Sequence, residues 1–183
     1  LLTHRWAWLI RESGIGPGAI MAVTFTNRAA SEMLRRIRDM LPEISDMKGL
    51  WIGTFHGLAM DMLRKYRPEE ERPVIDEVET RSLVQEILHE GQYRVRLGDA
   101  SNAIARAKSG VPLREAFKDS PEMGSILRDY QNRLRVLRVR DYDDILLDTA
   151  ALLESDTRLL QKIREEILHL LVDEFQDVNA VQY

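Results

Sequence analysis

Three short β-prone runs, each followed by a helical pattern, constrain this chain more than any other feature of its sequence. They span 20–26, 50–55 and 167–174, too short for ordinary helices and bounded by turn or cap residues. After the first, Ala30, Met33, Leu34, Ile37 and Leu41 recur at helical spacing, and Thr26 or Asn27 stands where a helix cap is wanted. After the second, Leu58, Met62 and Tyr66 share one helical face. Strand followed by helix, repeated, predicts a parallel sheet covered by helices. In such an α/β fold, ligands gather beyond the carboxyl ends of the strands.

The stretch between the second and third runs is different. From 79 to 139 only helical patterns occur: Leu83, Val84, Ile87 and Leu88, then 103–107, then Ile126, Tyr130, Leu134 and Leu137 behind a Ser120-Pro121 start signal. This predicts an all-helical inserted subdomain over 79–140, within a discontinuous α/β domain made of 1–78 and 141–183. Two more helices, opened by Asp141 and Asp156, lead back to the third run, with Ile145, Leu146, Leu159, Leu160 and Ile163 as core candidates. A chain of 183 residues has room for one domain with such an insertion.

Composition excludes several chemistries. With no Cys there is no disulfide framework, thiolate metal site or Cys nucleophile. Every apolar run is broken by charge, so no segment is long enough to span a bilayer. The four His have no metal-ligand spacing, and no Ser-His-Asp order with a nucleophile elbow is present. The net charge of −4 conceals an asymmetry: residues 91–140 hold eleven Arg and Lys against five Asp and Glu, a local +6, which leaves −10 for the remainder. Nine of those eleven cations are Arg, the side chain that grips an oxyanion through two parallel hydrogen bonds. A solvated helical surface would show the same run of charge.

Chemistry-bearing residues cluster at the ends of the predicted strands. In Leu170-Leu171-Val172-Asp173-Glu174-Phe175-Gln176-Asp177 an apolar strand ends in adjacent carboxylates, suited to holding Mg²⁺ and orienting a water in nucleotide hydrolysis. In Thr24-Phe25-Thr26-Asn27, small hydroxyls and an amide sit at a strand-to-helix junction, where backbone N–H groups are open to phosphate and an aromatic ring can stack on a base. In Gly53-Thr54-Phe55-His56-Gly57, Thr54 and His56 stand ready to hydrogen-bond a phosphate or sugar. Each segment alone also reads as a strand end and a helix cap. Gly14-Ile15-Gly16-Pro17-Gly18 is only a connecting turn: it precedes a strand and lacks the Lys-Ser/Thr of a phosphate loop.

Taken together and in order, Thr24-Phe25-Thr26-Asn27-Arg28-Ala29-Ala30-Ser31-Glu32-Met33, Gly53-Thr54-Phe55-His56-Gly57, and Val172-Asp173-Glu174-Phe175-Gln176-Asp177-Val178-Asn179 with Gln182-Tyr183 resemble the UvrD/Rep family of superfamily I DNA helicases. Leu2-Thr3-His4-Arg5 with Trp8-Leu9 is similar to the helix after that family's phosphate loop. Asp141-Tyr142-Asp143-Asp144-Ile145-Leu146 is similar to the re-entry from its inserted subdomain.

The resemblance implies an incomplete RecA-like parallel sheet with flanking helices and a helical insertion. It further implies ATP and Mg²⁺ as cofactors of a longer parent, with Asp173 on the Mg²⁺ and Glu174 activating water, itself counted with the metal site. Gln176 and Asp177 would couple the nucleotide to DNA. Thr24, Phe25, Thr26 and Asn27 would lie against single-stranded DNA, Thr54 and His56 would contact its backbone, and the insertion, with Arg133, Arg135 and Arg138, would meet a single-strand/duplex junction. The expected setting is cytoplasmic and nucleoid-associated, without a membrane, beside repair or replication proteins.

Arg28 stands where the family commonly has Lys, and Val178 where it has Thr. The family's Gly-Lys-Thr loop and second RecA-like domain are absent from these residues, so the chain is expected to be a piece of a longer protein, inactive by itself, whose exposed sheet edge admits dimerisation. A helicase-like subunit of a recombination nuclease complex and a non-catalytic DNA- or protein-binding module are the alternatives.

Overall fold

The computed structural model describes residues 1–44, 49–118 and 120–183. One acid of the basic segment, Asp119, lies outside the described residues. The fold is α/β and mostly helical, with a three-stranded open parallel sheet in the order β2-β1-β3 that makes an incomplete RecA-like sheet. Here β1 is Ile20–Thr24, β2 is Trp51–Thr54 and β3 is His169–Val172. The chain divides into two compact units, Leu1–Met62 with Ala151–Val178 and Leu63–Ala150 with Asn179–Tyr183.

In the sheet unit, the central strand β1 is buried along its whole length, as expected of a strand covered on both faces. Met21 to Thr24 pair with Trp51 to Thr54 on one side, and Ile20 to Val23 pair with His169 to Val172 on the other. Helix α1 (Leu2–Arg11) buries Trp6 and Leu9, and helix α2 (Asn27–Met40) buries Ala30, Met33 and Ile37. Together with Ile20, Ala22, Leu41 and Ile52 these form one apolar core. Helix α2 starts at its predicted cap: Thr26 Oγ1 accepts the Ala29 N–H at 3.1 Å.

All three strands are shorter than their apolar runs. The first stops at Thr24, where the next residues turn into the α2 cap. The second stops at Thr54 because its hydroxyl accepts the Gly57 N–H at 3.1 Å and opens helix α3 (Phe55–Tyr66), so Phe55 is helical. The third stops at Val172, and Glu174 then takes a left-handed conformation.

The helical unit contains α4 (Glu77–Glu90), α5 (Leu97–Lys108), the single turn α6 (Leu113–Ala116) and α7 (Met123–Leu137). Their core is the predicted set Leu83, Val84, Ile87, Leu88, Ile126, Tyr130 and Leu134, joined by Ala100, Ala103, Ile104, Met123 and Leu127. Ser120-Pro121 does not open α7 directly. Ser120 Oγ accepts the Glu122 N–H at 3.2 Å in a local turn, and the helix begins at Met123. Leu137, the last residue of the helical pattern, ends the helix and is exposed, and Arg138 turns left-handed immediately after it.

Helix α8 (Tyr142–Ser155) opens as predicted at Asp141, which exchanges hydrogen bonds with Asp144: the Asp144 N–H donates to Asp141 Oδ1 at 2.9 Å and the Asp141 N–H donates to Asp144 Oδ2 at 3.2 Å. Helix α9 (Thr157–Glu166) opens at Asp156 but buries none of its residues, so Leu159, Leu160 and Ile163 are half-exposed. No helix among the described residues is long and apolar enough to cross a membrane.

Candidate functional site

Parallel pairing brings the ends of the three strands into one row. Thr24 is the register partner of Thr54, and Val23 of Val172. The Asp173 N–H donates to Val23 O at 2.9 Å, so the first carboxylate of the acidic pair emerges beside Thr24 at the carboxyl edge of the sheet. Three segments that are distant in sequence therefore supply one edge, where an open α/β sheet places its ligand.

The residues of that row differ in what they offer. Thr24 and Thr54 are buried, 3% and 8% exposed, and the Thr54 hydroxyl is engaged in capping α3. Phe25, Thr26 and Asn27 are exposed, with Thr26 Oγ1 engaged as the α2 cap. The Phe25 ring meets that of Phe55, centroids 5.3 Å apart and planes inclined at 55°. His56 is half-buried, and that burial lowers its pKa below the ordinary 6.5, favouring neutral imidazole at neutral pH. Gly53 lets α3 fold closely onto β2, since a Cβ there would stand 3.2 Å from Leu58 Cγ.

Glu174 leaves the strand with φ 49° and ψ 46°, a left-handed conformation that a β-unbranched acid adopts only at a cost. A single 3₁₀ turn, Phe175–Asp177, follows, with the Asp177 N–H donating to Glu174 O at 2.9 Å. Gln176 Nε2 donates to Glu174 Oε2, so the amide of one motif residue rests on the carboxylate of another. Glu174, Gln176 and Asp177 are exposed and Asp173 is half-buried.

No group of three or more His, Cys, Asp or Glu among the described residues is arranged to hold a metal by protein ligands alone. A Mg²⁺ that keeps most of its waters and takes substrate phosphate oxygens needs only one or two carboxylates, and Asp173 with Glu174 fits that requirement.

The arginines assigned to nucleic acid belong to the other unit, at the end of α7. Arg133 is half-buried and committed: it pairs closely with Glu90 and lies 3.8 Å from Glu86. Arg135 is exposed and donates to Asn132 Oδ1 at 2.8 Å, and Arg138 is exposed in the left-handed position that terminates the helix. Of the eleven cations of 91–140, Lys108 and Arg140 are buried inside the unit and contribute no surface charge.

Phe55 is the member of the site that sequence reasoning left unassigned. Its signal was the repetition of Thr-Phe at the ends of two successive strands, Thr24-Phe25 and Thr54-Phe55.

The family model described as the UvrD/REP helicase N-terminal domain matches residues 1–183. Among curated proteins, the chain is 34% identical to "DNA helicase II" of Haemophilus influenzae and 33% identical to "ATP-dependent DNA helicase UvrD1" of Mycobacterium tuberculosis. It is 29% identical to "ATP-dependent DNA helicase PcrA" of Staphylococcus epidermidis. Each similarity covers 100% of this chain and 27%, 26% and 27% of the respective relative. The chain thus spans about a quarter of the length of the curated relatives it matches.

Proposed function

The chain belongs to the UvrD/REP helicase family, and on that premise we propose that it forms most of the first motor domain of an ATP-dependent DNA helicase. That enzyme would couple ATP hydrolysis to translocation on single-stranded DNA and to duplex unwinding in repair or replication. The observation that carries the reading is the row Thr54, Thr24, Asp173 at the carboxyl edge of one parallel sheet, with the acidic pair at one end and the Phe25–Phe55 pair toward the other.

In this reading Asp173, anchored through its backbone to Val23, would hold the Mg²⁺ that accompanies ATP. The metal supplies charge neutralisation for the phosphates. Glu174 accepts a proton from the attacking water at its carboxylate, and Gln176, hydrogen-bonded to that carboxylate, links its position to the chain that follows. Asp177 shares this coupling role. Phe25 offers a face for stacking a base, while Thr26, Asn27 and neutral His56 offer hydrogen-bonding groups for a strand's backbone. Thr24 and Thr54 act from beneath, by fixing the strand ends from which those groups project. The helices of 79–140 are the inserted subdomain, and 1–78 with 141–183 the partial ATPase domain.

The 183 residues contain no Gly-Lys-Ser/Thr, so the reading assigns them no ATP turnover of their own. Phosphate release from ATP by the isolated chain, with and without single-stranded DNA, tests this part. Turnover that a Glu174→Gln change abolishes would overturn it. In a longer protein carrying this chain, loss of DNA-stimulated hydrolysis on Asp173→Ala tests the assignment of the acidic pair.

A further inference from the structure

Helix α5 ends in a turn of defined geometry. The Gly110 N–H donates to Ala107 O at 3.3 Å and the Val111 N–H donates to Arg106 O at 3.1 Å, with Gly110 left-handed at φ 88°. Two residues earlier, the buried ammonium of Lys108 pairs with Asp141 and Asp144 at the start of α8, which fixes this helix end. A left-handed position after a helix ordinarily accepts Asn as well as Gly. Here the surroundings oppose any side chain: a Cβ on residue 110 would stand 2.8 Å from the Ala180 Cβ, 3.4 Å from Val181 Cγ2 and 3.5 Å from Val181 N. Gly110 is thus a notch against which Ala180 and Val181 sit.

The segment seated there is built locally. Asn179 Oδ1 accepts the Val181 and Gln182 N–H groups, both at 3.0 Å, and Gln182 Oε1 accepts the Asn179 N–H at 3.1 Å, the reciprocal pair of a capping box. The Tyr183 N–H donates to Asn179 O at 3.0 Å and completes the turn. This turn belongs to the helical unit, whereas 173–178, immediately before it in the chain, belong to the sheet unit. The acidic loop is therefore anchored at both ends, by the Asp173 N–H on Val23 O and by the turn of 179–183 on Gly110. Between the anchors lie the left-handed Glu174 and two hydrogen bonds, Asp177 N–H to Glu174 O at 2.9 Å and Val178 N–H to Phe175 O at 3.2 Å. A strained backbone of this kind persists only where its surroundings fix it.

We propose that Gly110 is a positioning residue for the acidic loop: its missing side chain seats Ala180 and Val181, and this seating holds the carboxyl end of the loop so that Glu174 keeps its left-handed conformation. The inference rests on the proposed role of Glu174 as acceptor of the water's proton. It gives the helical unit a part in that step through backbone position alone, with no contact to nucleotide or DNA. A loop held at one end only is free to relax at Glu174, which carries the carboxylate away from the reach that proton transfer requires.

The test is residue-resolved amide hydrogen exchange by NMR on the 183-residue chain, comparing wild type with Gly110→Asn and Gly110→Asn/Ala180→Gly, with circular dichroism as the check of folding. Asn tolerates the left-handed backbone, so its effect reports the crowding at Ala180. Gly110→Asn should speed exchange of the Asp177 and Val178 amides by about tenfold, together with those of Val181 and Gln182, and Ala180→Gly in the same chain should reverse most of it. Ala180→Val crowds the notch from the other side and should speed the same amides, which keeps the test open where Gly110→Asn does not fold. Faster exchange confined to Val181 and Gln182, or wild-type rates at all four, would overturn the positioning. In a longer protein carrying this chain, Gly110→Asn should lower kcat of DNA-stimulated ATP hydrolysis by about tenfold with little change in KM for ATP, and Ala180→Gly should restore it. An unchanged kcat, beside a Glu174→Gln enzyme that is inactive, would overturn the inference and leave the proposed function standing. Full turnover by Glu174→Gln would overturn both.

Discussion

Phe25 and Phe55 each follow the last residue of a strand, and their rings meet at 5.3 Å with a 55° tilt. This tilted geometry, with centroids within about 7 Å, is favourable for an aromatic pair. It holds Phe25 at the sheet edge while leaving it 36% exposed. Phe55 thus orients the ring that the proposed function offers to a nucleic-acid base.

That relationship separates two substitutions. Phe25→Ala removes the stacking surface and should weaken binding of single-stranded DNA by about tenfold, the lower end of the ~1–3 kcal/mol reported by ring removal. Phe55→Leu keeps apolar volume beneath Phe25 and should weaken binding less. Anisotropy titrations at one low salt concentration read both. Equal losses would mean that the pair acts only as packing.

Lys108 is the second place where geometry sets an expectation. Its ammonium is 2.6 Å from Asp141 Oδ2 and 2.7 Å from Asp144 Oδ1, and the Tyr130 hydroxyl donates to the same Asp141 oxygen at 2.7 Å. Lys108, Asp141 and Tyr130 are buried, so α5, α7 and the start of α8 meet at one satisfied ionic network. Lys108→Met leaves two carboxylates without their cation and should lower stability by about 3–5 kcal/mol in urea unfolding. Adding Asp141→Asn removes one of the stranded charges, so the double variant should be less destabilised than the sum of the two singles. Strict additivity would contradict the network.

What the sequence made legible, and what it hid, divides along physical lines. Short β-prone runs carried the three strands, and 3.6-residue patterns carried the flanking helices and the helical core, because burial is written directly into residue order. The caps at Thr26, Asp141 and Asp156 were legible because they satisfy donors three residues away. The strand ends were overextended, since Phe25 and Phe55 are as apolar inside a strand as beyond it. The charge count over 91–140 was right as arithmetic and incomplete as a surface, because Lys108 faces inward to Asp141 and Asp144, and Arg140 to the Glu70 carbonyl, over long sequence separations. The row of Thr54, Thr24 and Asp173 also depends on strand register, which no local pattern specifies.

His56 yields a pH prediction. Its burial places the folded pKa below the ordinary 6.5, so just under pH 6.5 the unfolded chain binds more protons than the folded one, and stability rises with pH. Acidification from pH 7 should therefore remove stability, beginning near pH 6.5 and ending once the folded-state histidine is protonated too. His56→Gln lacks that titration. The difference in urea midpoint between wild type and variant, followed from pH 7.5 to 5, should change in this direction; parallel curves would exclude the effect.

In the proposed function, Glu174 sets function against stability at a single residue. At φ 49° its Cβ crowds the following carbonyl oxygen, a cost of about 1–2 kcal/mol that glycine does not meet. Glycine also loses more backbone freedom on folding, by about 0.5–1 kcal/mol. The Gln176 bond to the Glu174 carboxylate is exposed and offsets little of the strain. Glu174→Gly should therefore leave the chain as stable as wild type or stabilise it by up to about 1 kcal/mol, whereas Glu174→Ala, which keeps the Cβ and loses the hydrogen bond, should not. Urea unfolding of the three proteins reads the difference, and a Glu174→Gly variant less stable than Glu174→Ala would refute the strain. In a longer protein carrying this chain, the same Glu174→Gly change should abolish DNA-stimulated ATP hydrolysis, because the carboxylate proposed to accept the water's proton is gone. A residue whose removal stabilises the fold and silences the reaction is held left-handed for its chemistry rather than for the architecture around it.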